Sequence, residues 1–367
     1  MQQQRRSRRW VLFGAQAGLL ALASTAAVVP MRPELVERWF TTGFYPSVQH
    51  ILTSLSNLLP VASLDLLVVG AGGWLAWRWW RALRYEQASA RLWRMCTAAM
   101  STLTAVAFVY LLFLALWGFN YRRVPLSHRL VFQTQAPTTS EVMVLARETV
   151  AQLNQLHAPA HAAGWQEPVW RSVALRQSAG DLQRILGHSS PAVPGRLKQT
   201  IFGPVFRWNG VNGMVNPFGL EVLANPDLLP FERPFVLAHE WAHLAGYADE
   251  GEANFVGWLT CVRAHESAQY SGWLYLYSEI LAQLPVQERK QIEESLAMGP
   301  RRDREEIVAR SQRGVLPIFQ RASWSAYDKY LKANRVEAGI RSYGAVLTLI
   351  LQAKFSSNWT PTLQKQM

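Results

Sequence analysis

His239-Glu240-Trp241-Ala242-His243 places two imidazoles four residues apart, with a carboxylate beside the first. On a helix that spacing puts both rings on one face. Two neutral imidazoles suit Zn²⁺, and an adjacent carboxylate can take a proton from a metal-bound water. The implied chemistry is metal-assisted hydrolysis, with His239 and His243 as ligands and Glu240 as general base. The flanking apolar residues Phe235-Val236-Leu237-Ala238 and Leu244-Ala245 leave one rival explanation: a buried helix carrying two hydrogen-bonded core histidines.

The surrounding residues set the element that must carry the pair. Pro234 stands where a first helical turn tolerates proline. Gly246 follows His243 by three residues, where a helix end favours a left-handed conformation. The pattern predicts a helix from about Pro234 to Ala245, then a sharp turn. Zinc needs a third protein ligand, and the turn delivers Asp249, Glu250 and Glu252. Asp249 and Glu252 are spaced as an N-cap and its N3 partner, a capping box for the next helix. Glu250 lies four residues before Asn254, which could orient a ligand from behind. The order of preference is Glu250, then Glu252, then Asp249. Asp249 stays in the set because His239 to Asp249 also spells H-E-x-x-H-x-x-G-x-x-D, the metzincin spacing with Asp in place of the last His.

Half of the 367 residues are hydrophobic and 16 are tryptophan. Three apolar runs stand out near the start: Trp10–Val29, Leu59–Trp77 (with Asp65 near one end) and Thr97–Trp117. Each is long enough to cross a bilayer as a helix. Tryptophans gather at their ends, as interfacial anchors do. Arg5, Arg6, Arg8 and Arg9 precede the first run, and Arg78, Arg81, Arg84, Arg91 and Arg94 lie between the second and third. The positive-inside rule puts both clusters in the cytoplasm and everything after Asn120 outside it. Arg122 and Arg123 run against this assignment. A cleavable signal at Ala21-Leu22-Ala23 and a twin-arginine signal at Ser7-Arg8-Arg9 are alternatives for the first run. Asp65 is expected to cap its helix together with Ser63, with proton relay as the alternative reading of an acid in a span.

The net charge of +12 does not call for nucleic acid. Residues 1–120 hold +7 of it and residues 121–367 hold +5, so most of the excess is arginine beside the membrane. Cys96 and Cys261 fall on opposite sides of the expected bilayer and cannot pair. The division expected is a membrane domain over 1–120 and a second domain over 121–367. In the latter, Ser140–Leu156 reads as helix and Ala158–Pro168 as loop. Thr200–Leu223 reads as one or two strands; between about Met214 and Leu223 it is either an edge strand that binds a substrate backbone by strand addition, as in zinc peptidases of this general kind, or part of an ordinary small sheet. Helices follow over Glu250–Ala264, Trp273–Leu284, Val286–Ala297, Arg302–Gln312, Trp324–Lys332 and Val336–Lys354. The charged stretch between Gln287 and Arg313 reads as solvated faces.

These features together resemble the bacterial membrane family catalogued as domain of unknown function 3810. The matching residues are Leu59-Pro60 with Ser63 and Asp65, Trp117-Gly118-Phe119-Asn120-Tyr121-Arg122, the His239–His243 motif with Gly246, and Glu250-Gly251-Glu252-Ala253-Asn254-Phe255. Tyr330-Leu331-Lys332 and Ser342-Tyr343-Gly344 complete the set. The resemblance implies a zincin-like membrane protein. Glu250-x-x-Ala253-Asn254 is also similar to the Glu-x-x-Ala-Asp third-ligand motif of membrane peptidases related to the CAAX-processing enzymes, which favours Glu250, although the gap from His243 is short. The expected fold class is therefore α+β, mostly helical, with three N-terminal transmembrane helices and a zincin-like extracytoplasmic domain. The expected function is a zinc metallopeptidase of the bacterial inner membrane: His239, His243 and Glu250 hold Zn²⁺, with Glu252 as the alternate third ligand, and Glu240 is the base. Tyr330 and Tyr343 are considered as oxyanion donors and not assigned. The expected partners are the lipid bilayer and a peptide or protein substrate, with no nucleic acid. A metal-binding scaffold or sensor without turnover is the alternative, and a hydrolase of cell-wall or lipid material is a third option.

Overall fold

A computed structural model describes residues 2–133, 135–336, 339 and 344–364. The chain starts with α1 (Gln2–Val28). A short α2 (Pro33–Val36) continues through a π-helical stretch (Glu37–Phe44) into α3 (Tyr45–Leu58), and then come α4 (Ser63–Leu83) and α5 (Ala88–Leu116). Leu59 precedes Pro60, and proline disfavours a helical residue before it. Leu59 is accordingly extended (φ −81°, ψ 129°), and the chain bends by 90° between α3 and α4.

That bend corrects the expectation of three separate spans. Among the described residues two helices are long and apolar enough to cross a membrane: α1 over Trp10–Val28, and α5. The expected Leu59–Trp77 span falls in α4, where Asp65, Arg78, three glycines and four tryptophans dilute the hydropathy. A third crossing arises only if the bent pair Pro33–Leu58 and Ser63–Leu83 counts as one. α5 packs against both α1 and α4.

The rest is mostly helical. α6 (Thr139–Ala163), α7 (Val173–Ile185), β1 (Leu197–Lys198), α8 (Gly203–Asn209), β2 (Gly213–Asn216) and β3 (Glu221–Ala224) lead to the motif helix α9 (Arg233–Leu244). Next come α10 (Glu250–Val262), α11 (Glu266–Gln283), α12 (Val286–Ser295), α13 (Met298–Gln312), α14 (Pro317–Ala333), α15 (Ala345–Gln352), β4 (Phe355–Ser356) and β5 (Thr360–Pro361). The capping box of Thr138 and Glu141 starts α6, which runs through Pro159 into the segment expected to be loop. Packing of buried Leu156 and Ala160 offsets the hydrogen bond that proline cannot make. The last helix is shorter than the expected Val336–Lys354. Tyr343 and Ser342 lie outside the described residues.

Every residue of α10 is buried, as befits a helix apolar on nearly all sides. It packs on α7, α9, α11 and α15, with Phe255, Trp258, Trp273 and Tyr277 inside the core. Gly257 is where α9 comes closest. A Cβ there would lie 2.9 Å from the His239 backbone nitrogen, so only glycine lets the two helices approach this tightly. The sheet order is β1-β3-β2, with β3 parallel to β1 and antiparallel to β2. β1 and β2 are therefore the two edges of this sheet; Met214 lies in the edge strand β2, whereas Leu223, expected to share that strand, is in the central β3. The reading of Gln287–Arg313 as solvated faces fails on α13, where Asp303 and Arg310 are buried.

Candidate metal centre

α9 has Pro234 in its first turn and ends at Leu244, with Ala245 as its C-cap and Gly246 following at φ +88°. This is the proline-first, glycine-last asymmetry expected from the sequence. The chain reverses through Tyr247 and Ala248, and Asp249 caps α10 by accepting from Glu252 N (3.1 Å). The return brings Glu250 over the face carrying both histidines. His239 Nε2 and His243 Nε2 are 3.1 Å apart, and each lies 3.4 Å from Glu250 Oε2. Tetrahedral zinc with ligand bonds near 2.05 Å requires ligand atoms about 3.3 Å apart. The trio already has that spacing.

The surroundings orient these atoms. His243 Nδ1 donates to Tyr247 O (2.7 Å), which leaves Nε2 free to act as a ligand. Trp117, just past α5, donates from Nε1 to His243 O (3.2 Å) and sets its ring edge-on to the imidazole. Tyr327 on α14 donates its hydroxyl to Glu250 Oε1 (2.5 Å). The orienting role expected of Asn254 thus belongs to Tyr327 in the case of Glu250. Asn254 is buried beside the site, and its Nδ2 has no hydrogen-bond partner among the described residues. Tyr330 stacks on Tyr327 and packs against Phe113 and Tyr121.

The electrostatics favour a cation. Burial opposes charge on His243, but Glu250 beside it more than offsets this and raises it to about 9. Burial likewise pushes Glu250 up, and the two histidines pull it well below the usual carboxylate range. Among the described residues His239 Nδ1, Glu240 Oε2 and Glu250 Oε2 are buried without a hydrogen-bond partner. An ion ligated by the two Nε2 atoms would satisfy Glu250 Oε2; His239 Nδ1 and Glu240 Oε2 are not ligand atoms and would stay unpaired, at about 1–3 kcal/mol each. A divalent ion between the rings and Glu250 suits this donor set.

Glu252, the alternate third ligand, is not in the trio. Its carboxylate turns away to accept from Leu126 N (2.5 Å). Burial raises it to about 7 against the pull of Arg123. It therefore does not return to Asp249 either, and the capping box is only half formed. Glu252→Gln is expected to leave zinc affinity within about twofold, whereas Glu250→Gln lowers it by at least 100-fold, read by competition with a chromogenic chelator. Equal losses would return Glu252 to the ligand set. Tyr327→Phe is expected to weaken zinc binding by about 10- to 100-fold, the usual range for a group that orients a ligand.

Glu240 lies outside the trio. It is 2 % exposed, and burial raises its pKa. A Cβ on Gly213, the first residue of β2, would come within 2.6 Å of Glu240 Oε1; glycine is what lets the edge strand lie against this carboxylate. A cavity of about 350 Å³ opens here, lined among others by Gly213, His239, Glu240, Asn254, Glu279 and Ile307. Burial raises Glu279 to about 7.

Asp65 does not cap α4 with Ser63. It accepts from Thr200 Oγ1 and Ile201 N, while the backbone amides of Ser63 and Leu64 donate to Glu221 of β3. Arg122 and Arg123, the charges that ran against the expected topology, are buried. Arg122 donates to Ala26 O at the end of α1, and Arg123 pairs with Glu37 (3.0 Å).

A mostly helical chain with helices long and apolar enough to cross a membrane, and a His-His-Glu cluster, is thus defined. Residues 40–351 match the family described as protein of unknown function (DUF3810), and the chain belongs to it. No curated protein and no solved structure gives a match.

Proposed function

We propose that this protein is a membrane-anchored zinc-dependent hydrolase of peptide bonds. The observation that carries the reading is the spacing of His239 Nε2, His243 Nε2 and Glu250 Oε2, at 3.1, 3.4 and 3.4 Å. Zinc held there would act as a Lewis acid toward a carbonyl and acidify water. Glu240 accepts the proton of the attacking water and passes it to the leaving amine. Gly213 keeps β2 close to Glu240, and β2 pairs with β3 alone among the described strands. Its other edge suits strand addition by an extended peptide running into the cavity. A metal serving only to clasp α9 to α10 has no use for an unpaired, buried Glu240 facing a cavity.

The proposed setting is the bacterial inner membrane, with the centre outside the cytoplasm. Three chain ends meet the catalytic part: the C-terminal end of α1 through Arg122, the N-terminal end of α4 through Glu221, and the C-terminal end of α5 through Trp117. With the bent pair that ends in α4 counted as one crossing, the directions would run out, in and out. α4 also leaves Leu66, Val69, Trp77 and Trp80 exposed, as lipid-facing residues would be. The arginines between α4 and α5 then lie on the opposite side, as the positive-inside rule asks.

Zinc content of the full-length protein in detergent, wild type beside His239→Ala, tests the site. The expected result is bound zinc that the substitution removes, together with zinc-dependent cleavage of a mixed peptide library. Zinc retained by His239→Ala would end this assignment, and bound zinc without cleavage would leave a metal-binding scaffold.

A further inference from the structure

We propose a second metal site, formed by His157 and His161 of α6 and Asp303 of α13. The two histidines repeat the four-residue spacing of the motif helix, with their ring centroids 4.4 Å apart. Asp303 is buried. His161 Nε2 lies 2.8 Å and His157 Nε2 3.7 Å from Asp303 Oδ2, and one ligand atom from each residue falls within 4.8 Å of the others. Tetrahedral zinc requires about 3.3 Å between ligand atoms. His161 would back away, and His157 close in, by about half an ångström each.

The supports are already built. Tyr270 of α11, itself buried, donates its hydroxyl to Asp303 Oδ2 (2.5 Å) and sets its ring edge-on to both imidazoles. A Cβ on Gly299 would meet the His157 ring at 2.4 Å, so the start of α13 rests directly on that ring. An ordinary His–Asp hydrogen bond accounts for His161 but not for His157, whose Nε2 is held toward the same oxygen beyond hydrogen-bond range. Two neutral imidazoles and one carboxylate give the same donor class and charge as the first centre. Borderline-soft divalent ions, zinc above all, suit it. His161 is partly exposed, leaving solvent access to the ion.

Such an ion would clasp α13 to α6. α13 carries Ile307, which lines the cavity, and Arg310, which donates to Glu232 Oε1 (2.6 Å) and Asn212 Oδ1 (3.1 Å) in the cavity wall. The clasp therefore fixes one wall of the substrate cavity without touching the first centre.

The test is zinc per chain by elemental analysis, on full-length protein in detergent after equilibration with micromolar free zinc and removal of excess. The expected values are about two for wild type, and about one each for His161→Ala, Asp303→Asn and His239→Ala. The single zinc kept by His161→Ala shows that the variant is folded. Asp303→Asn, nearly the same shape, serves if the alanine variant does not fold. Wild type holding about one zinc, unchanged by His161→Ala and Asp303→Asn but lost in His239→Ala, overturns the second site and leaves the first intact. One zinc lost in His161→Ala and kept in His239→Ala supports the second site and removes the first.

Discussion

Glu240→Gln is expected to lower peptide hydrolysis by at least 10²- to 10⁴-fold, the range supplied by a positioned acid–base group, while zinc content stays at the wild-type value. The amide fills the same space beside Gly213 but cannot take a proton from water. Zinc should be retained because the proposed ligands, His239, His243 and Glu250, meet without Glu240. Stability is expected to move the other way. Glu240 is buried, its Oε2 has no hydrogen-bond partner among the described residues, and burial raises its pKa, so the protein holds an ionisable group at a cost. A neutral amide removes much of that cost, for a gain of about 0.5–2 kcal/mol, the usual scale when a strained functional residue is relieved. Rates on the cleaved library peptide, zinc content and thermal unfolding of the same preparation read all three effects. Wild-type rates would remove Glu240 from the mechanism. Lost zinc would make it a ligand instead.

The meeting of His239, His243 and Glu250 was legible because its information is local. His239, Glu240 and His243 lie within one and a half turns of one helix, and Gly246 and Asp249 announce the reversal that brings Glu250 back over them. Helix periodicity and capping chemistry determine such arrangements whatever the rest of the chain does. The choice of Glu250 over Glu252 follows the same logic. Residues two apart on a helix point to nearly opposite faces, about 200° apart, so only one of the two carboxylates can look back at α9; Glu252 looks toward Leu126.

What the sequence hid depends on contacts between distant segments. Tyr327 reaches Glu250 from 77 residues away, and no spacing rule points to it. Asp303 sits in a helix so charged that its composition reads as solvent-facing; only the packing of α13 on α6 and α11 buries it. The pair His157 and His161 did carry a signal, the same i, i+4 spacing as the motif, but Pro159 between them argued for a loop and concealed the shared face. The status of α4 was misread for a related reason. Its length fits a span, yet its hydropathy is diluted, and it counts toward a third crossing only together with Pro33–Leu58 across the bend.

That end rests on a buried charge pair whose disruption should have a large effect on stability. Glu221 accepts from Ser63 N (3.0 Å), Ser63 Oγ (2.8 Å), Leu64 N (2.8 Å), Asn216 Nδ2 (2.9 Å) and Lys198 Nζ (2.9 Å). The side chains of Lys198 and Glu221 are 1 % and 0 % exposed. Burial alone would raise the carboxyl. The hydrogen bonds from Ser63, Asn216, Lys198 and Leu64 more than offset that and hold it at about 2, below the ordinary 4.5. A depressed acid contributes its stability in full above the ordinary value and loses it as pH falls toward about 2, so the wild-type protein should weaken over that acid window. Glu221→Gln is expected to cost about 3–5 kcal/mol at neutral pH, because Lys198 is left charged and unpaired in the interior, and to flatten the acid limb. Adding Lys198→Met should restore most of the loss, the signature of a coupled pair. Hydrogen exchange at the Ser63 and Leu64 amides should quicken in the single variant, since their acceptor is weakened while the rest of α4 stays folded. A loss below about 1 kcal/mol, the scale of an exposed ion pair, would mean that Glu221 does not fasten α4 to β3. In that case the position of β2 against Glu240 must be set by α9 alone.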